Sequence, residues 1–192
     1  ELQVHNNKVA EALPGQRVAV NLRGIKREQL KRGHFLITPG SIRATTCLHS
    51  RLHLLDDIRH LPKRNESIRL LFGTTDVLAK MRVVDGNPLE AGANLLVQIR
   101  CQKPVIVSSG EHFIIRCCSP METIGGGEIL DTSDSLIELT RDTLVSHLHN
   151  LEQASTVERI KVHVVATNTR GIDLVDLAEK SITTRLELTA IL

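Results

Sequence analysis

Short stretches of alternating apolar and polar residues constrain the fold of this chain more than any other feature. The alternation is clearest in residues 17–23, 94–101 and 113–117. A period of two is typical of strands that have one face more buried than the other. Glycine and proline turn signals recur between these stretches. Many short strands between turns predict antiparallel barrels or sandwiches, with a boundary between two β units near Pro39-Gly40.

The sequence changes character after Asp131. The residues that follow contain no proline and a single glycine, Gly171. Apolar residues at three- and four-residue steps over 136–151 predict a helix, with Ser133 or Asp134 as its cap. A second helix is predicted over residues 157–166. Two short helices on either side of Ser181 resemble a helix-turn-helix, and Thr184 and Glu187 fit a capping box at the start of the last helix.

Composition argues against several classes of function. Aromatic residues make up 2% of the 192 residues, with no tyrosine or tryptophan, which disfavours a base-stacking RNA platform. Apolar runs fall far short of the ~18–20 residues of a membrane helix, and the first residues lack a signal-peptide pattern. Four cysteines without a Cys-x-x-Cys pair predict free thiols in a cytoplasmic protein. Cys47, His49 and His53 lack a recognisable fourth ligand, so no metal site is predicted.

Charge is unevenly distributed along the chain. Residues 1–40 hold seven basic and three acidic residues, a net charge of +4. Residues 41–131 hold eleven basic and ten acidic residues, a net charge of +1. Residues 132–192 hold six basic and nine acidic residues, a net charge of −3. A phosphate-binding surface is therefore expected in the N-terminal part of the chain and not in the helical tail.

Two motifs that suggest chemistry are better explained by structure. Gly125 to Gly127 match neither a P-loop nor a dinucleotide loop, and Glu128 follows them directly, so we expect a sharply bent strand at the end of a barrel. Ser109 and His112 lie on one predicted turn, whereas a hydrolase needs nucleophile and base to converge from separate loops. No catalytic residue is predicted.

The segment of residues 23–33, which we call the basic loop, is the best candidate for a binding site. Five of its eleven residues are basic. Arginine and lysine side chains at this density can hold an anionic backbone. Charge alone is equally compatible with a solvated loop.

Two stretches of the sequence resemble a known family. The stretch NLRGIKREQLKRGHFLITPGSI is similar to the end of domain 2 of EF-Tu-class translation factors. The stretch from LEAGANLLVQIR to SPMETIGGGEILD resembles domain 3 of the selenocysteine-specific elongation factor (SelB) family, whose terminal TIGGG…LD pattern is distinctive. The resemblance covers about residues 2–131, and the tail matches by position and helical character.

The resemblance implies a mainly β fold with antiparallel EF-Tu-like barrels followed by an α-helical, winged-helix-type segment. It places the C-terminal half of domain 2 at residues 1–39, domain 3 at 40–131, and the start of the winged-helix extension at 132–192. The chain would begin midway through domain 2 and end within the first winged helix, without the GTPase domain.

The resemblance also implies partners. A factor of this family binds selenocysteinyl-tRNA and delivers it to the ribosome, and its C-terminal winged helices bind the selenocysteine-insertion hairpin of the mRNA. GTP and magnesium belong to the GTPase domain, so we expect this chain to need no cofactor and to hydrolyse no GTP. A cytoplasmic protein without membrane contact is expected.

Carried over residue by residue, the resemblance assigns Arg32 to the 3′ end of the aminoacyl-tRNA. The residue at the position of Gln29 is acidic in EF-Tu and faces the terminal adenosine, so an identical adenosine pocket is not expected here. Lys26, Arg27 and Lys31 are expected to contact tRNA as well.

Three alternative functions stay open for this chain. They are another EF-Tu-like translational GTPase, a non-catalytic protein-interaction module, and, more remotely, a hydrolase that uses Ser109 and His112.

Overall fold

The computed structural model describes residues 1–39, 41–63, 65–132, 139–167 and 171–191. The chain forms two compact units, Glu1–His34 and Phe35–Leu192. Among the described residues, each unit contains its own β-sheet.

The first unit is a small antiparallel sheet. Its strands are β1 (Leu2–Val4), β2 (Asn7–Val9) and β3 (Val18–Val20), in the order β2-β1-β3. His5 and Asn6 adopt positive φ angles of 49° and 66° between β1 and β2, which suits a tight hairpin turn. A short 3-10 helix, Arg27–Gln29, lies within the basic loop.

The second unit contains a closed six-stranded antiparallel barrel in the order β4-β7-β6-β5-β8-β9. Its core is apolar and fully buried, with Leu52, Leu70 and Ile99 among its largest side chains. The mainly β fold class is thereby confirmed. The strands are β4 (Thr45–Leu54), β5 (Ser67–Phe72), β6 (Thr75–Val83), β7 (Asn94–Val105), β8 (His112–Cys117) and β9 (Thr123–Asp131).

The triple glycine lies in β9 and lets this strand approach both of its neighbours. A Cβ atom at Gly125 or Gly127 would lie 2.4 Å or 1.8 Å from the backbone oxygens of His53 and Arg51 on β4. A Cβ atom at Gly126 would lie 2.6 Å from a backbone oxygen of β8. The interpretation of these glycines as a structural feature of the last barrel strand is confirmed, since any side chain here would collide with the backbone.

In the described part of the tail, four helices follow the barrel: α1 (Arg141–Gln153), α2 (Thr156–Thr167), α3 (Leu174–Lys180) and α4 (Arg185–Ile191). The first helix is predicted to begin near Ser133 or Asp134, which lie outside the described residues. The structure instead begins α1 after Thr140, whose side-chain oxygen accepts a hydrogen bond from the backbone N of Thr143. The cap position is therefore corrected.

The other helical predictions agree with the structure. Helix α2 covers the predicted 157–166, and α3 and α4 lie on either side of a tight turn at Ser181. Thr184 and Glu187 form the capping box: the backbone N of Thr184 donates to the Glu187 carboxylate at 2.9 Å, and the backbone N of Glu187 donates to Thr184 Oγ1 at 3.2 Å.

The helices pack on the outside of the barrel. Leu144 and Leu148 of α1 are buried against Leu96 and Leu130, which point outward from β7 and β9. The Arg51 guanidinium of β4 donates to the Glu152 carboxylate of α1, with its Nε at 2.6 Å. This ion pair lowers the pKa of Glu152. A separate apolar cluster joins α2, α3 and α4.

Replacing a β9 glycine should destabilise the barrel. We expect Gly127→Ala to lower the free energy of unfolding by about 3 kcal/mol, because the new Cβ atom meets the backbone of β4. Urea unfolding measures this loss.

Gly171→Ala is the matched control. At Gly171 the φ angle is +69° and a Cβ atom would meet nothing within 4 Å, so the loss should be about 1 kcal/mol from backbone strain. Equal losses at the two positions would contradict the close approach of β9.

Glu179 of α3 should make stability depend on pH. Burial raises the pKa of this carboxyl from 4.5 to about 7, and the Ser109 backbone N donates to it at 3.4 Å. Between these two pKa values the folded state keeps a proton that the unfolded state has lost, so stability falls as the pH rises.

From pH 4.5 to 8, the wild type should therefore lose about 3 kcal/mol of unfolding free energy relative to Glu179→Gln. Urea unfolding of both proteins across this pH range measures the difference. Parallel curves for the two proteins would show that Glu179 ionises as freely in the folded state as in the unfolded state.

Candidate nucleic-acid interface

The basic loop follows β3 and is shaped by local hydrogen bonds. The backbone N of Lys26 donates to Gln29 Oε1 at 2.8 Å, and the backbone N of Gln29 donates to the Lys26 carbonyl at 3.0 Å. Gly24 and Gly33 adopt φ angles of +76° and +92°, which glycine tolerates without strain. Gln29 therefore holds the turn through its oxygen, and its amide NH₂ is the part of its side chain left to face a ligand.

The predicted contact residues of the basic loop are all exposed. Lys26, Arg27, Lys31 and Arg32 point into solvent together with Gln29. No acid in the described part of the chain forms an ion pair with any of the four cations. Cations without acidic partners suit a phosphate backbone, since binding does not first have to break an ion pair.

A second basic surface lies on the barrel. Arg69 of β5 is directly opposite Arg116 of β8, and Lys80 of β6 is directly opposite Arg100 of β7. Like charges directly opposite each other on one face destabilise a sheet. Two such pairs place four cations on this part of the barrel.

These two pairs form one line of charge. Arg69 of β5 lies directly opposite Leu78 of β6, and Lys80 lies two residues further along β6 on the same face. Arg69 and Lys80 are therefore diagonal neighbours, which places the two pairs side by side. The alternate residues of these strands, such as Ile68 and Ile115, point into the core. We call Arg69, Lys80, Arg100 and Arg116 the barrel basic line.

Few acceptor groups offset the positive charge of the barrel basic line. Asp76 of β6 forms an ion pair with Arg69. Arg116 donates to the carbonyl of Met121 at 3.5 Å. Lys80 and Arg100 are exposed and form no ion pair with the acids of the described ranges.

Sequence reasoning missed the barrel basic line because the residues of the line come from four strands. The net charge of +1 for residues 41–131 hides it, since these residues also hold ten acids. The sequence does carry a signal, because each of four consecutive strands has a lysine or arginine at an outward-facing position. These positions form a line only when the strand register is known.

The structure offers no support for the hydrolase alternative. Ser109 is buried, whereas His112 at the start of β8 is exposed. Within the described ranges, no hydrogen bond links their side chains. No described helix is both long enough and apolar enough to cross a membrane.

Comparison with known proteins identifies the barrel. A family model described as the β-barrel domain of the selenocysteine-specific elongation factor matches residues 49–135. The selenocysteine-specific elongation factor of Desulfomicrobium baculatum is 30% identical over 130 residues, which are 68% of this chain and 20% of that protein. The chain thus spans about a fifth of the length of this relative.

A solved structure has the same fold. The crystal structure of a bacterial selenocysteine-specific elongation factor, EF-Sec, superposes with a TM-score of 0.69 and 19% sequence identity. The match covers 97% of this chain and 29% of that one. At this identity the likeness establishes the fold alone.

The like-charge pairs of the barrel should cost stability at low salt. We expect Arg100→Gln to raise the free energy of unfolding by about 0.5 kcal/mol at low ionic strength, because it relieves repulsion with Lys80. The gain should vanish at about 1 M salt, where the Debye length is about 3 Å.

Arg69→Gln is the control, since it removes an ion pair with Asp76 together with the repulsion from Arg116. Urea unfolding of Arg69→Gln at low salt should show no gain in the free energy of unfolding. A loss of stability in Arg100→Gln at every salt concentration would mean that the Arg100 guanidinium is stabilised by its surroundings.

Proposed function

The chain belongs to the selenocysteine-specific elongation factor (SelB) family through its barrel, and from that premise we propose that it binds selenocysteinyl-tRNA as part of a factor that delivers this tRNA to the ribosome. The observation that carries the proposal is the set of four exposed cations in the basic loop that have no acidic partner among the described residues.

Each predicted residue has a proposed role. Arg32 holds the 3′ end of the aminoacyl-tRNA, and a guanidinium suits this role because it can make two parallel hydrogen bonds to a phosphate. Lys26, Arg27 and Lys31 neutralise neighbouring phosphates. Gln29 supports the turn through its bond to Lys26 and offers its amide to the terminal nucleotide.

The barrel basic line is proposed as a second contact with the tRNA backbone. Cations from four strands form an extended surface, and an extended polyanion relieves the repulsion between them. With only three aromatic residues in the chain, contact through charge and shape is favoured over base stacking.

The proposal includes a place for each part of the chain in the factor. Residues 1–39 are assigned to the C-terminal half of domain 2, residues 40–131 to domain 3, and residues 132–192 to the start of a winged-helix extension. GTP and magnesium are proposed ligands of the whole factor, and the insertion hairpin of the mRNA is a proposed partner of its winged helices. The residues named here bind RNA and catalyse nothing, and the cytoplasm is the proposed location.

Neutralising the basic loop should weaken tRNA binding and its salt dependence together. We expect Arg32→Gln to weaken the binding of selenocysteine tRNA about tenfold at low salt, the value of one charged hydrogen bond. Changing Lys26, Arg27, Lys31 and Arg32 to glutamine together should reduce the slope of log K against log salt by about 0.7 to 0.9 per lost phosphate contact. Filter binding or fluorescence anisotropy at several salt concentrations measures both.

Lys8→Gln is the matched control, because Lys8 lies in the same unit and forms an ion pair with Glu1 at 3.2 Å. It should leave affinity and slope unchanged. No measurable tRNA affinity at any salt concentration would contradict the proposal and favour a protein-interaction module.

A further inference from the structure

Three side chains that can bind a metal converge where the helices pack on the barrel. Asp131 ends β9, His147 lies on α1 and His163 lies on α2. Their ligand atoms all lie within 4.8 Å of one another. Asp131 Oδ2 is 3.3 Å from His147 Nε2 and 3.5 Å from His163 Nδ1.

These distances are wide for hydrogen bonds. An N–H···O bond spans about 2.7–3.2 Å, and charge-assisted bonds are shorter still. The ammonium of Lys180 also stands at 3.5 Å, from the other carboxylate oxygen of Asp131. The His147 imidazole and the Lys180 ammonium nevertheless lie within hydrogen-bonding reach of the carboxylate, so both contacts are long hydrogen bonds.

The same distances suit a metal shell. Zinc binds imidazole nitrogen and carboxylate oxygen at about 2.0–2.2 Å in tetrahedral geometry, so neighbouring ligand atoms lie about 3.3–3.5 Å apart. Both distances from Asp131 Oδ2 fall in this range. Two histidines and a carboxylate form a common zinc-binding set.

The cluster is closed off from bulk solvent. All three side chains are buried, with exposures of 0% for Asp131, 7% for His147 and 3% for His163. A metal ion bound here would therefore be largely shielded from solvent.

We propose that Asp131 Oδ2, His147 Nε2 and His163 Nδ1 bind a zinc ion, with a water molecule as the fourth ligand. The ion would link β9, α1 and α2, and it would fix the first two helices to the barrel. This site is independent of the tRNA contacts proposed above.

Lys180 sets the affinity of the site. Its ammonium lies 3.5 Å from Oδ1, the carboxylate oxygen that is not proposed as a ligand, and its positive charge opposes that of zinc. Its side chain is 15% exposed, so the charge lies near the surface. The neighbouring Glu179 carboxyl, whose pKa is raised to about 7, loses its proton more easily beside a bound cation and offsets part of this repulsion.

The test is zinc binding by the tag-free chain. After dialysis against zinc, elemental analysis should find one equivalent per chain. Cobalt in place of zinc should show the strong visible absorption of a four-coordinate ion. His147→Ala and His163→Ala should each weaken zinc binding by about 100-fold or more, since loss of an outer-shell partner alone weakens it 10- to 100-fold.

Two further variants separate metal binding from folding. His149→Ala, at an exposed histidine of α1, should bind zinc as the wild type does. Lys180→Met keeps all three ligands and should bind zinc about tenfold more tightly, because it removes the opposing charge. Circular dichroism confirms that each variant is folded.

Two results would overturn the proposal. One is the absence of stoichiometric zinc in both the wild type and Lys180→Met. The other is an affinity that His147→Ala and His163→Ala leave within about threefold of the wild type. Either result would make the cluster a buried ion pair of Asp131 and Lys180 with two histidines beside it.

Discussion

The closure of the barrel by β9 is the constraint on which the rest of the structure depends. This strand pairs with β4 on one side and β8 on the other, and the pairing requires three consecutive residues without side chains. Closure removes the free edges of the sheet and fixes its register. The register in turn decides which residues face outward, including Leu130 beneath α1 and Asp131 at the edge of the helices.

Closure also explains how the two kinds of outer surface arise. On β7 and β9, the outward residues Leu96 and Leu130 are apolar and are covered by α1. On β5, β6, β7 and β8, the outward residues include Arg69, Lys80, Arg100 and Arg116, which stay exposed or half-buried. The near-neutral charge of the chain is thus an average over a basic loop, a basic line on the barrel and an acidic helical tail.

The sequence predicted two of the barrel strands by their alternation, which is a local pattern. Residues 94–101 and 113–117 lie in β7 and β8, and the two helices around Ser181 follow from local spacing and capping. The capping residue Thr140 was not predicted, because apolar residues at helical spacing continue on the N-terminal side of Arg141, where α1 begins.

Contacts across strands and helices could not be predicted. Arg69 and Arg116 are 47 positions apart in sequence, and only the register places them opposite each other. Asp131, His147 and His163 have no motif spacing, because they come from a strand end and two helices whose packing is set by tertiary contacts. The cations of the basic loop are adjacent in sequence, so their exposure could be predicted, and their role in binding stays a prediction.

Hydrogen exchange measured by mass spectrometry, with and without selenocysteine tRNA, tests the central claim that RNA contacts this chain through its basic surfaces. We expect slower exchange in residues 23–33 and in the strands that carry Lys80 and Arg100, with α3 and α4 unchanged. Slower exchange confined to the acidic helical tail, with the basic loop and the barrel strands unaffected, would contradict it.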